Sequence, residues 1–130
     1  MFKKNNLKAF GKIKSFNIDN NITNLVQDFY TKKPFPNYDN LESKQSIVNK
    51  GDANHLTHSL KTHIGLNKNF LEVGSGTCQL SNYLAVGTNN NIYALDPTLE
   101  SLKLGENFAN NNNIQNVNFI NADLFDSIFN

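Results

Sequence analysis

The chain has 130 residues, a formal net charge of +1 and 18% charged residues. This length fits one domain or part of one, and so balanced a charge gives no field that would attract nucleic acid through its phosphates. The single cysteine, Cys78, excludes an internal disulfide, and no stretch approaches the roughly 20 apolar residues that a membrane helix requires. We therefore expect a cytoplasmic protein with no membrane partner and no nucleic-acid signature.

The first 66 residues predict an arm followed by a helical cap segment. Residues 1–17 have no sustained hydrophobic period, which predicts a mobile or loosely docked arm. From Ile18 to Tyr30 the apolar residues recur at helical spacing, with Asn20 or Asn21 as the N-cap. This pattern predicts a short amphipathic helix.

An aromatic stretch rich in proline follows this helix. Pro34 and Pro36 fix their own φ angles and disfavour a helix at the residues before them. Two interpretations of Tyr30, Phe35 and Tyr38 stay open. Their rings either pack on the body of the domain or form a lid over a ligand site.

Two helical segments are expected before the sheet. Leu41 to Asn49 is weakly helical and is interrupted by Lys50-Gly51-Asp52, whereas Ala53 to Ile64 has a clear apolar face and Gly65 to end it. The second segment carries His55, His58 and His63. Because no cysteine or carboxylate completes a metal shell nearby, we interpret the histidines as polar-face residues and predict no metal site.

Residues 67–130 predict a partial Rossmann-like domain centred on a glycine loop. Phe70 to Val73 is a short apolar strand, and Gln79 to Val86 is a helix whose free N–H groups face the loop. Between them, Gly74 and Gly76 permit positive φ angles and let a ligand approach the backbone.

Two more strands and a helix follow. Ile92 to Asp96 and Val117 to Ile120 are apolar runs, and Leu99 to about Asn110 is the helix between them. Within this helix we expect Leu102 and Phe108 to face inward and Gly105 to allow close approach to the sheet. The alternation predicts an α/β fold, a Rossmann-like βαβαβ parallel sheet preceded by a helical amino-terminal segment.

The carboxyl ends of parallel strands meet at one edge of a sheet, where ligands of open α/β folds bind. That edge receives Gly74 to Gly76, Asp96 and Asp123. A carboxylate such as that of Asp96 suits the two hydroxyls of a ribose, which indicates an adenosine-type ligand. The dinucleotide pattern would need a glycine where the chain has Gln79, so an NAD-binding domain is the weaker alternative.

Three segments resemble the first three motifs of class I S-adenosylmethionine-dependent methyltransferases. They are Leu71-Glu-Val-Gly-Ser-Gly-Thr-Cys-Gln-Leu80, Ala94-Leu-Asp-Pro97 and Ala122-Asp-Leu124. Residues 29–43 are similar to the amino-terminal segment of a bacterial subgroup with a generic methyltransferase domain. The resemblance implies S-adenosylmethionine as cofactor and methyl transfer to an unidentified acceptor.

The resemblance also implies roles for single residues. Glu72 and the glycine loop would line the methionine half of the cofactor, Asp96 would hold the ribose, and Asp123 with the backbone of Leu124 would meet the adenine. The implied cofactor-binding residues are Glu72, Gly74, Ser75, Gly76, Asp96, Pro97, Asp123 and Leu124. A bonded structural carboxylate remains the alternative for Glu72, and helix capping for Asp96 and Asp123. Catalytic residues stay unknown, because the family builds its acceptor pocket from later segments.

The chain stops soon after the third motif, so we expect the amino-terminal half of a class I methyltransferase fold in an incomplete chain. A non-catalytic cofactor-binding fragment or subunit is the alternative. The strand Phe70 to Val73 would then lack a neighbour on its outer side, which invites a partner chain or self-association through the exposed sheet edge. Cys78 replaces a family glycine, and we expect it to be a buried structural thiol.

Overall fold

The computed structural model describes residues 7–124, in which five strands form one sheet accompanied by five helices. In chain order these are β1 (Lys8–Phe10), β2 (Ile13–Ser15), α1 (Asn21–Lys32), α2 (Lys44–Ala53), α3 (His55–Ile64), β3 (Asn69–Val73), α4 (Gln79–Ala85), β4 (Asn91–Asp96), α5 (Leu99–Asn111) and β5 (Val117–Asn121). The order across the sheet is β1-β2-β5-β4-β3. Over the same range, no helix has both the length and the hydropathy that crossing a lipid bilayer requires.

The predicted βαβαβ unit is confirmed. Strands β3, β4 and β5 are parallel neighbours, with Phe70 opposite Ile92 and Ala94 opposite Phe119. Helices α4 and α5 connect them in turn, so the carboxyl ends of all three strands lie along one edge.

One face of the sheet packs on helices. Ile92, Ala94 and Phe119 on this face are at most 2% exposed, and they share a core with Tyr83 of α4 and Leu102 of α5. The inward positions predicted for α5 are confirmed, since Leu102 and Phe108 are both buried.

Gly105 was expected to let α5 approach the sheet, and this expectation was wrong. A Cβ atom at this position would lie 2.7 Å from both the Cβ atom of Cys78 and the carbonyl oxygen of Thr77. The missing side chain therefore lets α5 approach the glycine loop and the start of α4, not the sheet.

The arm predicted for residues 1–17 is corrected over the described part, residues 7–17. Strands β1 and β2 form an antiparallel hairpin, turned by Gly11 at φ 58° and Lys12, and β2 pairs in parallel with β5. The strands have three residues each, which is too short for a visible hydrophobic period. Their stability comes instead from pairing with residues about a hundred positions later, as in the hydrogen bond from Ser15 Oγ to Asn121 Oδ1 (2.7 Å).

The cap segment differs from its prediction at one point. Helix α2 runs through Gly51, where an interruption was expected, and starts at a capping box formed by Ser43 and Ser46. A side chain at position 51 would collide with the ring of Tyr83, so this glycine serves the packing of α2 on α4. Helices α1 and α3 are confirmed, with Asn20 as the N-cap of α1 and Gly65 ending α3.

Candidate functional site

In the glycine loop between β3 and α4, every second residue has a positive φ angle: Gly74 (72°), Gly76 (55°) and Cys78 (64°). These residues bend the loop. The amide nitrogens of Gly74 and Ser75 donate to the carbonyl oxygen of Leu95, at 2.8 and 3.1 Å, which ties the loop to the end of β4. Within the described residues, no atom other than those of Gly74 and its two chain neighbours lies within 4 Å of the position a Cβ would take, so the Gly74 backbone is open to a ligand.

Asp96 joins the loop to the start of α5. Its Oδ2 accepts a hydrogen bond from the Gly76 amide and its Oδ1 accepts one from the Thr98 amide, both at 2.8 Å, and the residue is 7% exposed. Thr98 is itself the N-cap of α5 and that helix start has no side-chain cap, so Asp96 holds the turn before the helix and the capping role weighed from the sequence is wrong. A carboxylate offers about four lone-pair sites, so these two bonds leave capacity for a ligand's hydroxyl groups.

Glu72 lies at the same edge, half-buried on β3. Its Oε2 accepts a hydrogen bond from the hydroxyl of Ser81 on α4. Burial raises the pKa of this carboxyl above its ordinary value, and the hydrogen bond from Ser81 opposes the shift. The Glu72 carboxyl therefore holds its proton more tightly than an exposed one, and a cation placed beside it would favour its ionised form.

A cavity of about 420 Å³ lies in front of these groups. It is lined by six of the eight predicted cofactor residues, Glu72, Gly74, Ser75, Gly76, Asp96 and Pro97, and by two of the three predicted lid residues, Tyr30 and Phe35. Its only ionisable acids and bases among the described residues, apart from the phenol of Tyr30, are the carboxyl groups of Glu72 and Asp96. The cavity is thus acidic, with a bare peptide loop at its base.

Asp123 and Leu124 do not line this cavity. Asp123 is 3% exposed and its Oδ2 accepts a hydrogen bond from Thr23 Oγ1 at 2.6 Å, so the first turn of α1 stands against it. Leu124 is exposed. The segment still lies at the same sheet edge, because the Ala122 amide donates to the carbonyl oxygen of Asp96 at 3.2 Å.

Tyr38 also lies outside the cavity wall. Its ring stacks on Phe108 with 4.9 Å between centroids, and its hydroxyl donates to the carbonyl oxygen of Thr77 at 2.6 Å. Burial raises the pKa of this phenol well above its ordinary value. Tyr38 therefore fixes the end of the aromatic stretch to the glycine loop, while Phe35 and Pro36 lie over the cavity.

The cavity has a cover, formed by α1 and the Phe35–Pro36 stretch. At Phe35 this cover lies close to the glycine loop. The carbonyl oxygen of Phe35 lies 2.6 Å from the position that a Cβ of residue 76 would take. The absence of a side chain at Gly76 thus lets the cover pack against the loop, and it also permits the positive φ angle of the turn. The hydroxyl of Thr77 and the side-chain amide of Gln79 donate to the backbone carbonyls of Pro36 and Asn37.

Ser101 is a site residue that the sequence analysis missed. It lies in the first turn of α5, lines the cavity and is 1% exposed, and its hydroxyl has no hydrogen-bond partner among the described residues. Buried hydroxyl groups are rarely left without a partner, so such a group marks a place where a ligand could supply one. The available signal was its position five residues after Asp96, at the start of a helix that opens on the site.

Two other predictions concern residues beside the site. Cys78 is fully buried, as expected, and burial raises the pKa of its thiol well above the ordinary value, which makes it unreactive. His55, His58 and His63 are exposed on α3, where His58 Nδ1 lies 3.3 Å from Asp52 Oδ1. No group of potential metal ligands occurs within residues 7–124.

Comparison with known proteins agrees with the geometry. A family model described as a methyltransferase domain matches residues 64–129, which includes the glycine loop and all three strand ends. Neither a curated protein nor a solved structure gives a match. This family model covers half of the chain, so the resemblance drawn from the three motifs is confirmed. The chain belongs to the methyltransferase-domain family.

Proposed function

We propose that this chain binds S-adenosylmethionine in the cavity at the carboxyl ends of β3 and β4, and that the methyl group it transfers comes from that cofactor. The observation that carries the proposal is the meeting of a bare glycine loop with two carboxyl groups, Glu72 and Asp96, in one cavity. Its volume of about 420 Å³ falls within the range usual for small-molecule sites, about 300–1,000 Å³.

The charge of the cavity favours this cofactor over a dinucleotide. S-adenosylmethionine carries a sulfonium and an ammonium group against one carboxylate, so it is a net cation. A dinucleotide presents a pyrophosphate instead, which needs N–H donors or basic side chains. Lysine, arginine and histidine are absent from the described lining, and the position of the third fingerprint glycine holds Gln79.

The residues of the cavity fit the parts of this cofactor. Asp96 keeps lone pairs for the ribose hydroxyls, and Ser101 offers a buried hydroxyl without a partner in the described chain. The open backbone at Gly74 leaves room for the amino-acid portion, and Glu72 supplies negative charge near it. When bound, the cofactor would supply an electrophilic methyl group, and the chain's part is to hold it and exclude water.

Asp123 would require a change at the cover before it could meet an adenine. In the structure its carboxylate accepts from Thr23, on the first turn of α1. We therefore assign it to holding α1 against the site, and we retain adenine recognition at Asp123 and Leu124 as the family-based alternative.

The test is calorimetric titration of the chain with S-adenosylmethionine, S-adenosylhomocysteine and NAD. We expect saturable binding of the two adenosyl ligands and none of NAD. The matched variants are Asp96→Asn, inside the cavity, and Asp39→Asn, an exposed carboxylate outside its lining. Binding of NAD alone, or equal losses in both variants, would contradict the proposal.

Turnover separates an enzyme from a cofactor-binding subunit. Both alternatives predict binding, but only an enzyme forms S-adenosylhomocysteine when acceptors are supplied. Chromatographic detection of that product, across a panel of small acceptors, is the measurement. Binding without product in the whole panel would favour the non-catalytic alternative.

A further inference from the structure

A second, smaller cavity adjoins the cavity in which the cofactor is proposed to bind. We call it the helical pocket, because residues of α2, α3 and α4 line it together with the Phe35–Pro36 stretch. The Phe35–Pro36 stretch, Gln79 and Leu80 line both cavities. No strand contributes to the lining of the helical pocket within the described residues, so the pocket does not depend on either edge of the sheet.

The walls of this pocket are mainly apolar and held in place. Ile47 and Tyr83 are each 2% exposed, and Leu80 is half-buried. The Tyr83 hydroxyl donates to Asp52 Oδ1 at 2.8 Å, and the ring of Tyr83 fills the space where a side chain at Gly51 would lie. A wall that is already fixed loses little freedom when a ligand binds, and an aromatic wall favours a second ring packed against it.

The helical pocket has one cationic side chain, that of the exposed Lys50. Lys50 Nζ donates to Gln79 Oε1 at 2.8 Å. Because an ammonium group has three N–H donors, two of them stay available. Lys50 makes no salt bridge within residues 7–124, and no carboxylate occurs in the described lining. The charge of Lys50 is therefore not neutralised at the pocket.

The other polar side chains of the lining are already engaged. Thr57 and Gln79 each donate to a backbone carbonyl oxygen, and the Tyr83 hydroxyl donates to a carboxylate. Spare donor strength for a charged group is thus concentrated at Lys50, beside apolar walls. The volume of the pocket, about 250 Å³, lies just below the range usual for small-molecule sites, about 300–1,000 Å³. This combination suits a small apolar body that carries one negative charge.

We propose that the helical pocket binds a small aromatic carboxylate, whose carboxylate group pairs with Lys50 and whose ring packs on Leu80 and Tyr83. Hydrogen bonds between ionised partners are stronger than those between neutral groups, so the charge should determine which ligands bind. The neighbouring cavity has the opposite character, because its ionisable groups include the carboxyls of Glu72 and Asp96. The two cavities should therefore select ligands of opposite charge.

The test is a titration of the whole chain with benzoate, phenylacetate and their neutral amides, followed by heteronuclear NMR of the backbone amides. Each neutral amide matches its acid in size and lacks its charge. At least one acid should bind with a dissociation constant about tenfold or more below that of its amide. The shifted signals should include those of Lys50, Gly51 and Leu80, which locates the ligand in the helical pocket.

Two lysine variants on α2 form a matched pair. Lys50→Met removes the charge and keeps a side chain of similar length, so the acid and its amide should then bind about equally. Lys44→Met removes an exposed charge from the same helix, outside the lining, and should keep the preference for the acid. The NMR spectrum of each variant also shows whether its fold is native.

The outcome is separate from that of the proposed function, because the titration contains no S-adenosyl compound. A chain that does not bind S-adenosylmethionine can still prefer the acid, and the reverse also holds. Equal affinities for acids and amides in the wild type, or no saturable binding of either acid in the millimolar range, would overturn the proposal. So would shifts that leave out the helical pocket, or a Lys50→Met chain that retains the preference.

Discussion

The cavity is built from two unlike halves. Its floor consists of strand ends, the glycine loop and the start of α5, and residues such as Ser75, Asp96 and Thr98 there are buried. Its cover consists of α1 and the Phe35–Pro36 stretch, and α1 has no buried residue at all. The floor is fixed by backbone hydrogen bonds to the sheet, whereas the cover rests on a few side-chain contacts such as Thr23 to Asp123.

This difference assigns separate tasks to the halves. Groups held by a packed core have little freedom to lose when a ligand arrives, so the floor should determine affinity. A segment that buries little surface, as α1 does, can open at small cost, so the cover should determine how fast a ligand enters and leaves. Variants in the two halves should therefore differ in which quantity they change.

The largest effect is expected from Asp96→Ala on the floor. The change removes the proposed ribose partner, and it also leaves the Gly76 and Thr98 amides without their acceptor. Hydrogen bonds to charged groups are each worth about 1.5–3 kcal/mol, so the dissociation constant for S-adenosylhomocysteine should rise about tenfold or more. Calorimetry measures the affinity, and a lowered melting temperature should accompany its loss. Unchanged affinity in a folded variant would contradict the role of the floor.

Glu72→Gln should have the next largest effect. The variant should change how the affinity for S-adenosylmethionine depends on pH. Burial raises the pKa of Glu72, so the folded state is favoured by the protonated carboxyl. That contribution to stability is fully present below the unfolded pKa and is lost as the pH rises through the folded pKa. Binding of a sulfonium cation has the opposite requirement, because it needs the ionised form.

Affinity for S-adenosylmethionine should therefore increase as the pH rises through the pKa of Glu72, and Glu72→Gln should flatten this profile. S-adenosylhomocysteine has no sulfonium and serves as the matched ligand, with a weaker pH dependence in the wild type. Titrations at several pH values supply both curves. Parallel profiles for the two ligands would place Glu72 away from the sulfonium.

Ser101→Ala should move stability and affinity in opposite directions. The hydroxyl is buried without a partner among residues 7–124, so replacing it with hydrogen should stabilise the ligand-free chain by about 1 kcal/mol. If a ligand group pairs with this hydroxyl, the same variant should bind a few-fold more weakly. Thermal denaturation with and without S-adenosylhomocysteine tests both signs together. A variant that is stabilised equally in both conditions would assign Ser101 no part in binding.

Phe35→Ala tests the cover. The side chain is 71% exposed, so its loss should leave the melting temperature nearly unchanged. We expect the dissociation rate of S-adenosylhomocysteine to rise a few-fold with a smaller change in equilibrium affinity, measured by stopped-flow fluorescence or surface plasmon resonance. A loss of stability as large as that of Asp96→Ala would remove the distinction between floor and cover.

The smallest effect is expected from His58→Ala. This histidine is exposed on α3 and contacts Asp52, whose pKa is lowered by hydrogen bonds from Tyr83 and then from His58. Neither residue lines the cavity. The dissociation constant should match that of wild type, and a loss comparable to that of Asp96→Ala would show that the site extends to α3.

Sequence reasoning succeeded where a pattern and its partner lie close together in the chain. The three strands, α4 and α5 were located within a residue or so, because each apolar run is bounded by Gly, Pro or Asn residues. It failed at the β1–β2 hairpin, whose pairing with β5 depends on distant residues, and at Gly51, whose helical conformation depends on the ring of Tyr83. Ser101 was missed because its hydroxyl lacks a partner in the described part of the chain only as a result of packing, which no sequence pattern shows.

The link between Ser15 and Asn121 has a consequence for how the site is assembled. Asn121 also donates to the backbone carbonyls of Asp96 and Pro97, at 3.1 and 2.8 Å, so the hairpin, the last strand and the cavity floor share one amide. During synthesis the hairpin leaves the ribosome early, but its strand partner appears about a hundred residues later. The floor cannot reach its final geometry until that late strand arrives, and the closure of so long a loop is a slow step.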